Sequence, residues 1–215
     1  MLKDADGTMA WLTNINNKSV AEVNLTDVCN LKLLDENNST IWQSFDQATE
    51  TLVVGHKMVP GQQLTSQGGL FSLSLTSEGL FAYINTHPPQ RYFYYYVPYT
   101  TKIRYVQFQN GSLAFSLVDP SFNNPYDELP RPSVLSSQYI RVGPDGHLRM
   151  YDRNWVVVSD VFKESVHYCG YPTACGNYGI CINDQYCSCP GPKNGTSYFQ
   201  PINDRELYLG CSLVL

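Results

Sequence analysis

The sequence is poor in charged residues and has no long apolar run. Asp, Glu, Lys and Arg make up 15% of the 215 residues, and the formal net charge is −5. An average soluble domain has roughly 25% charged residues. An acidic balance without a basic patch lacks the electrostatic footprint of a nucleic-acid-binding domain, so we predict no nucleic-acid partner. No apolar stretch approaches the roughly 20 residues that cross a bilayer, so we predict no membrane segment in this chain.

Motifs for catalysis and metal binding are also missing. The histidines are scattered, and none is close enough to another to form the paired ligands of a zinc site: His56, His87, His147 and His167. The sequence has no G-x-S-x-G elbow, phosphate-binding loop or H-E-x-x-H pattern. We therefore predict no catalytic residues, no metal ligands, no cofactor and no enzymatic activity.

What the sequence does contain is aromatic residues, turns and short alternating strands. It has 16 tyrosines and 9 phenylalanines beside 15 glycines and 13 prolines, which is typical of an all-β protein. Four segments alternate apolar and polar residues on both sides of a tight turn. We predict a positive φ angle at the tight position of these turns, which holds Cys29, Gly79, Gly111 and Gly146. The stretch 120–132 is predicted to be a loop.

A second repeat joins an aspartate to a tryptophan across a polar turn. Asp4 precedes Trp11, and Asp35 precedes Trp42, by the same seven residues. A looser copy ends at Trp155. An internal repeat of this size predicts a symmetric β-architecture built from equivalent hairpins or small sheets.

The aromatic residues concentrate in the run 92–99, which reads Tyr-Phe-Tyr-Tyr-Tyr-Val-Pro-Tyr. Exposed tyrosines would provide a surface for a sugar or a partner, because they bring a large contact area at low entropic cost. The alternative is a strand with alternate rings in the core and the others on a solvated face. We favour the strand.

Six of the seven cysteines lie close together near the end of the sequence: Cys169, Cys175, Cys181, Cys187, Cys189 and Cys211. This segment has too few apolar residues for a core, and it lacks the paired C-x2-4-C knuckles of zinc modules. We therefore interpret it as stabilised by disulfides, whose fifteen pairings the spacing leaves open. The seventh cysteine, Cys29, either links two chains, or is a substituted turn glycine with no role, or has its partner in an N-terminal region that we expect to be missing.

Potential N-glycosylation sites accompany the cysteines. Six N-x-Ser/Thr sequons begin at Asn17, Asn24, Asn37, Asn38, Asn110 and Asn194. Together with a disulfide-type cysteine run they indicate the secretory pathway. Because residues 1–7 lack the apolar core of a signal peptide, we expect the chain to be part of a longer secreted product.

The cysteine segment resembles an EGF-like module. Residues 175–181 read Cys-Gly-Asn-Tyr-Gly-Ile-Cys, and residues 187–190 read Cys-Ser-Cys-Pro. They are most similar to the EGF-like module in the S-domain of plant G-type (bulb-type) lectin receptor kinases and S-locus glycoproteins. This resemblance implies bridges between Cys169 and Cys181, between Cys175 and Cys187, and between Cys189 and Cys211.

The first part of the chain resembles the same family. Residues 42–46 read Trp-Gln-Ser-Phe-Asp and residues 49–52 read Thr-Glu-Thr-Leu, which is similar to the segment that closes the bulb-type lectin domain. The family has proline at the position of Ala48 and aspartate at that of Glu50.

The resemblance implies an all-β fold with three parts. Residues 1–64 would form the C-terminal half of a β-prism (bulb-lectin-like) domain. Residues 65–160 would form a second lectin-like β-domain, the S-locus glycoprotein region, and residues 161–215 the EGF-like disulfide module. Since half a prism cannot cover its own core, we expect partly exposed apolar surface at Trp11, Leu25, Leu31 and Leu33.

Bulb-type lectins bind mannose through the motif Q-x-D-x-N-x-V-x-Y. In this chain its five positions hold Thr26, Val28, Asn30, Lys32 and Leu34. Only Asn30 matches, so a degenerate sugar site kept as scaffold is favoured, since replaced hydrogen-bonding groups cost a site its discrimination. A later copy places Gly143, Asp145, His147, Arg149 and Tyr151 at the same positions, of which Asp145 and Tyr151 match.

The resemblance implies an extracellular recognition module of a plant S-domain receptor-like protein. Its partner would be a glycan or a small secreted peptide, and in the receptors of the family the equivalent surface dimerises. One alternative is a soluble secreted cell-wall glycoprotein with a structural role. Another is the sensing part of a receptor serine/threonine kinase, whose kinase domain would lie in a longer product. The localisation would be secreted, or the extracellular face of the plasma membrane in such a product.

Overall fold

The structure is a computed structural model that describes residues 2–11, 13, 15, 18–47, 49–130, 133–192 and 194–214. For residues 2–3 and 9–11 only the backbone is described. The chain forms two compact units, Met1–Ala48 and Thr49–Leu215. Strand accounts for 40% of the residues and helix for 5%, so the predicted all-β class is confirmed. The predicted division at 64/65 and 160/161, and the assignment to a β-prism, stay predictions.

The first unit contains a two-stranded and a three-stranded antiparallel sheet. Its strands are β1 (Leu2–Lys3), β2 (Met9–Trp11), β3 (Glu22–Leu25), β4 (Leu31–Leu34) and β5 (Thr40–Gln43), followed by the 3-10 helix η1 (Ser44–Gln47). β1 pairs with β2, and the order of the other sheet is β3-β4-β5. Successive strands thus pair as hairpins, as the repeats predict.

The three-stranded sheet leaves apolar side chains uncovered. Leu25 is 68% exposed and Val23 62%. Leu31 and Leu33 are partly exposed. The predicted exposure is therefore confirmed at the three leucines, and the side chain of Trp11 lies outside the described residues.

The second unit contains three antiparallel sheets of four strands each. Their strands are β6 (Thr51–Val53), β7 (Lys57–Met58), β8 (Gln63–Thr65), β9 (Phe71–Leu75), β10 (Gly79–Ile84), β11 (Gln90–Tyr96), β12 (Ile103–Gln109), β13 (Ser112–Leu117), β14 (Asp127–Leu129), β15 (Tyr139–Val142), β16 (Leu148–Tyr151) and β17 (Val157–Asp160). The strand order is β11-β10-β9-β8 in sheet 1, β14-β13-β12-β7 in sheet 2 and β17-β16-β15-β6 in sheet 3. The prediction of a loop throughout 120–132 is wrong at β14, because this strand pairs with β13.

Three short consecutive strands each join a different sheet. β6 pairs with β15, β7 with β12 and β8 with β9. The segment 51–65 therefore links all three sheets, although each of its strands has only two or three residues. Such short strands gain their stability from the sheets they join rather than from local pairing.

The core is filled by side chains that alternate along the strands with partly exposed ones. In β16, Leu148 and Met150 are completely buried while Arg149 and Tyr151 are partly exposed. The largest completely buried side chains include Phe71, Phe108, Phe115, Phe162, Leu52 and Met58. β16 therefore has one buried and one partly solvated face, as expected for an antiparallel sheet on a core, whereas every residue of β13 is buried.

The aromatic run forms β11, an edge strand of sheet 1. Phe93 and Val97 are buried, whereas Tyr94 is 61% and Tyr96 49% exposed. Phe93 stacks on Phe162 with ring centroids 4.1 Å apart. The predicted strand is confirmed, and its rings alternate from Phe93 to Tyr96, whereas Tyr92 also packs inward against Phe71 and Phe162.

One turn recurs through the described residues. In each copy the first residue donates its N–H to the carbonyl of the fifth, and the fourth donates to the carbonyl of the first. These turns begin at Asp4, Thr26, Asp35, Gly143 and Asp152. The fourth residue has a positive φ angle in every copy and is Gly7, Cys29, Asn38, Gly146 or Trp155.

The predicted positive φ angles are confirmed at Cys29, Gly111 and Gly146 and wrong at Gly79. Gly79 has no positive φ angle, but a Cβ atom there would collide with the backbone carbonyl of Tyr95. Glycine at this position therefore allows β10 and β11 to approach closely.

The end of the chain is a small disulfide-bonded segment. Its elements are the 3-10 helices η2 (Tyr168–Gly170) and η3 (Leu207–Leu209) and the strands β18 (Ile180–Ile182), β19 (Tyr186–Ser188), β20 (Phe199–Pro201) and β21 (Cys211–Leu213). Bridges join Cys169 to Cys181, Cys175 to Cys187 and Cys189 to Cys211, which is the pairing that the resemblance implies. Over the described part of the chain, every helix is too short to span a bilayer.

Candidate binding site

The first copy of the sugar motif lies in the first unit, where its one matching residue is used by the fold. Asn30 is buried, with 5% exposure. Its amide nitrogen donates to Gln43 Oε1 at 3.0 Å, and its amide oxygen accepts from the Ser44 hydroxyl at 3.2 Å and from the Phe45 N–H at 3.3 Å. Hydrogen bonds within the unit therefore occupy the Asn30 amide. The other positions lie in the turn or on β4: Thr26, Val28, Lys32 and Leu34.

The later copy crosses the turn between β15 and β16 in sheet 3. Since Leu148 and Met150 of β16 fill the core, the alternate residues of the motif face outward. Two of them form a bidentate ion pair, in which Arg149 Nη1 lies 3.0 Å from Asp145 Oδ1 and Nη2 lies 2.6 Å from Oδ2. This copy therefore keeps an ordered carboxylate at its surface, at one of the two matching positions.

His147 links this copy to the cysteine-rich segment. Its Nδ1 lies 2.5 Å from Oδ2 of Asp160 at the end of β17. Its ring stacks on that of Tyr171, with centroids 3.7 Å apart and planes 13° apart. The Tyr171 hydroxyl donates to the same carboxylate at 3.4 Å, and the Phe162 N–H donates to its other oxygen at 3.0 Å. The imidazole is thus fixed between a carboxylate and an aromatic ring.

A cavity of about 300 Å³ opens beside this stacked pair. It is lined by Asp145, His147, Tyr168, Tyr171, Thr173, Ala174 and Tyr208. Tyr168 is 40% and Tyr208 52% exposed, so both rings are accessible from solvent. Aromatic walls with a few convergent polar groups are typical of small-molecule sites.

The charges of the cavity are set by its neighbours. Burial acts to raise the pKa of the Asp145 carboxyl, but the hydrogen bonds and charge of Arg149, with a smaller contribution from His147, lower it below its ordinary value. Burial raises the pKa of the Tyr171 hydroxyl, and the nearby Asp160 carboxylate raises it further. At neutral pH the cavity therefore presents an ionised carboxylate as acceptor, while the Tyr171 hydroxyl keeps its proton and donates it to Asp160.

The ion pair predicts a small pH-dependent loss of stability when Arg149 is replaced by methionine. Because the pKa of Asp145 is lowered in the folded state, the pair stabilises the fold above the ordinary value near 3.8. That contribution disappears as the pH falls through the folded pKa. With side chains 26% and 46% exposed, the pair contributes only about 0.2–1 kcal/mol.

Urea midpoints measured at neutral pH and at about pH 2.5 test this prediction. We expect Arg149→Met to unfold earlier than the unsubstituted chain at neutral pH, with the gap narrowing in acid. A gap of equal size at both pH values would show that lost packing of the arginine stem, and not its charge, is responsible.

The remaining predicted site residues lie on the surface. Five sequon asparagines fall within the described residues and are exposed: Asn24, Asn37, Asn38, Asn110 and Asn194. Asn17 lies outside the described residues. Exposure makes the five accessible to modification, and glycosylation itself stays a prediction. Cys29 is an exposed free thiol. Among the described residues, no cluster of three or more His, Cys, Asp or Glu side chains could hold a metal ion.

No family model matches the chain. Similar proteins include EP1-like glycoprotein 3 of Arabidopsis thaliana, 27% identical over 90% of this chain and 51% of that protein. A G-type lectin S-receptor-like serine/threonine-protein kinase of Arabidopsis thaliana is 22% identical over 86% of this chain and 24% of that kinase. The epidermis-specific secreted glycoprotein EP1 of Daucus carota is 25% identical over 88% of this chain and 61% of that protein.

These homologues confirm the resemblance to plant S-domain extracellular regions and their secreted relatives. The chain spans between 24% and 61% of the length of these three proteins. Among solved structures, the Japanese Marasmius oreades lectin is 16% identical, covers 56% of this chain and 98% of its own, and has a TM-score of 0.42. A TM-score of 0.42 supports no conclusion about this chain.

Proposed function

We propose that this chain, a homologue of the EP1-like glycoproteins and of a G-type lectin S-receptor-like kinase, is an extracellular, non-enzymatic module that binds a saccharide in the cavity beside His147. The lining of this cavity is the main support for the proposal. It combines three tyrosine rings with the Asp145 carboxylate and the His147 imidazole. A pyranose has both an apolar face and several hydroxyls, so it complements such a lining.

The chemistry of the lining distinguishes a hydroxyl-rich ligand from a purely apolar one. A ligand without hydroxyl groups would leave the remaining acceptor sites of the Asp145 carboxylate unpaired, so the site would discriminate against it. The ion pair with Arg149 occupies only part of the acceptor capacity of Asp145, since a carboxylate offers about four lone-pair sites. The stacked His147 ring is fixed before the ligand arrives, which lowers the entropic cost of binding.

The proposed localisation is the cell exterior, either as a secreted protein or on the outer face of the plasma membrane. Three disulfides persist in oxidising compartments. The five described sequon asparagines are exposed, as glycan acceptors have to be. The Daucus carota relative is itself described as a secreted glycoprotein.

Calorimetric titration of the full chain with a panel of neutral and acidic oligosaccharides tests the proposal. Tyr208 lines the cavity, and its side chain is exposed. Replacing it by alanine therefore removes one wall of the cavity and should preserve the fold. We expect the dissociation constant to rise about tenfold or more. Tyr186→Ala is the matched control, since Tyr186 is 50% exposed in the same segment but does not line the cavity. Equal effects of the two changes, or no binding by any saccharide, would refute the proposal.

A second candidate is a small secreted peptide bound along β11. This strand lies at the edge of sheet 1 and exposes Tyr94 and Tyr96, and an extended peptide can add a strand to such an edge. The Arg91 guanidinium lies 5.1 Å from the centre of the Tyr94 ring, within the range of a cation–π interaction. Cysteine-rich peptides that bind the unsubstituted chain but not Tyr94→Ala would establish this function.

A further inference from the structure

Trp155 occupies a backbone position that three of the four equivalent turns give to glycine or asparagine, and the fourth to Cys29. In the turns beginning at Asp4 and Asp35 the same position holds Gly7 and Asn38. Glycine and asparagine adopt a positive φ angle readily, whereas a bulky residue there is an outlier. Trp155 has a φ angle of 65°. Strained backbone positions of this kind cluster at binding and active sites.

The turn itself does not need the indole. The Asp152 carboxylate accepts the N–H groups of Asn154 at 2.8 Å and Val156 at 3.0 Å. The Asp35 carboxylate accepts the corresponding two N–H groups at 2.9 Å each in the turn that contains Asn38. An asparagine therefore completes the same turn, and the reason for tryptophan lies outside it.

At this strained position the Trp155 indole is exposed to solvent and packs against another aromatic ring. Trp155 is 71% exposed. Its ring centre lies 4.9 Å from that of Tyr139, which stacks on Tyr151 with centres 5.0 Å apart and planes 6° apart. A rigid, exposed aromatic face brings contact area at little entropic cost.

An open polar depression of about 380 Å³ lies next to this part of the chain. It is lined by Ser136, Gln138, Asp152, Arg153 and Asn154, which are chain neighbours of Tyr139 and Trp155. The opposite charges of Asp152 and Arg153 offset each other, and amide and hydroxyl groups make up the rest. Such a lining offers hydrogen bonds to a neutral, hydroxyl-rich ligand.

We infer that Trp155 and this depression form a second site, which binds a neutral oligosaccharide by stacking one sugar ring on the indole. The site is separate from the cavity beside His147, because the two share no lining residue and lie beyond opposite ends of β16. Gln138 and Asn154 would supply hydrogen bonds to the sugar hydroxyls. A linear oligosaccharide that engages both sites would gain effective concentration from the linkage.

A protein partner is the competing occupant, since exposed tryptophan is also frequent at interface hot spots. Val156 and Val157 beside the indole are 56% and 48% exposed. The polar lining of the depression favours the saccharide, because the centre of a protein interface is depleted of charged residues.

The test uses Trp155→Asn, which installs the residue of the equivalent turn at Asp35. Urea unfolding should give a midpoint no lower than that of the unsubstituted chain. The Trp155 indole N–H resonance, identified by its loss in the variant, should shift on titration with neutral oligosaccharides. The dissociation constant read at the neighbouring Asn154 side chain should rise at least tenfold in Trp155→Asn.

A second variant separates this site from the cavity. In Tyr208→Ala the Trp155 resonance should still shift at the same oligosaccharide concentration, even where cavity binding is lost. Loss of that shift in Tyr208→Ala, or unchanged binding in Trp155→Asn, would overturn the inference. It would equally be overturned if no saccharide moved the resonance. If Trp155→Asn alone weakened binding while Tyr208→Ala had no effect, the second site would stand and the cavity proposal would fail.

Discussion

Replacing Cys175 and Cys187 together by serine is expected to lower the free energy of unfolding of the 49–215 unit by about 3 kcal/mol. The bridge closes a loop of 12 residues, and a loop of similar size restricts the unfolded chain by about that amount. Both sulfurs belong to buried residues, 5% and 3% exposed, so the serine hydroxyls would also need new hydrogen-bond partners.

The same change should abolish saccharide binding in the cavity. Thr173 and Ala174 of its lining directly precede Cys175, and the Tyr168 hydroxyl lies 3.3 Å from Cys187 Sγ. The bridge therefore fixes the chain directly beside these two walls. Urea unfolding and calorimetric titration of the full chain measure the two effects. Cys29→Ser is the control, since this thiol is free and exposed. Unchanged binding by the double variant would show that the segment does not shape the site.

Replacing Phe115 by alanine should lower the free energy of unfolding by about 3–5 kcal/mol. Phe115 lies in β13 of sheet 2 and is completely buried. Its ring centre lies 4.5 Å from that of Tyr95 in β11, so the side chain joins sheet 1 to sheet 2. Truncation would leave a cavity between two sheets that are fixed by their other strands and cannot close around it.

Phe122→Ala is the comparison for this measurement. Phe122 is partly exposed in the loop before β14, where its ring packs on Tyr126. We expect a loss well below that of Phe115→Ala, because less apolar surface returns to water. Similar urea midpoints for the two variants would contradict the assignment of Phe115 to the contact between the sheets.

Local patterns predicted the hairpins because their determinants lie within a few residues. Glycine or cysteine at a tight turn with positive φ was correctly expected at Gly111, Gly146 and Cys29. The alternation in β11 likewise followed from a period of two residues. The disulfide pairing could not be chosen from spacing, and only the resemblance supplied it.

The sequence alone could not predict which strands the short strands pair with. Leu52 of β6 pairs with Ile140, and Lys57 of β7 pairs with Gln107. Strands of two or three residues have no detectable period, and their partners lie far along the chain. The loop prediction fails at β14 because a strand of three residues, which pairs Leu129 with Leu113 of the preceding strand, has no detectable period.

Both proposed sites depend on such long-range proximity. The later copy of the sugar motif indicated Asp145, but nothing in the sequence indicated that Tyr171 and Tyr208 would line the same cavity. The sequence groups Trp155 with Trp42 because an aspartate precedes each of them. The structure instead places Trp42 in β5 and Trp155 in the turn itself. One signal was available, because Asp152 and Asn154 repeat the spacing of Asp35 and Asn37.

The most direct test of the account is an NMR titration of the isotope-labelled full chain with the tightest-binding oligosaccharide. If a saccharide binds in the cavity, the His147 ring resonances and the Thr173 and Ala174 amides should show saturable shifts. The amides around Asn30 should remain unchanged in the same titration. A saccharide that bound with shifts confined to residues 26–34 would instead place the site in the first copy of the motif and contradict the account.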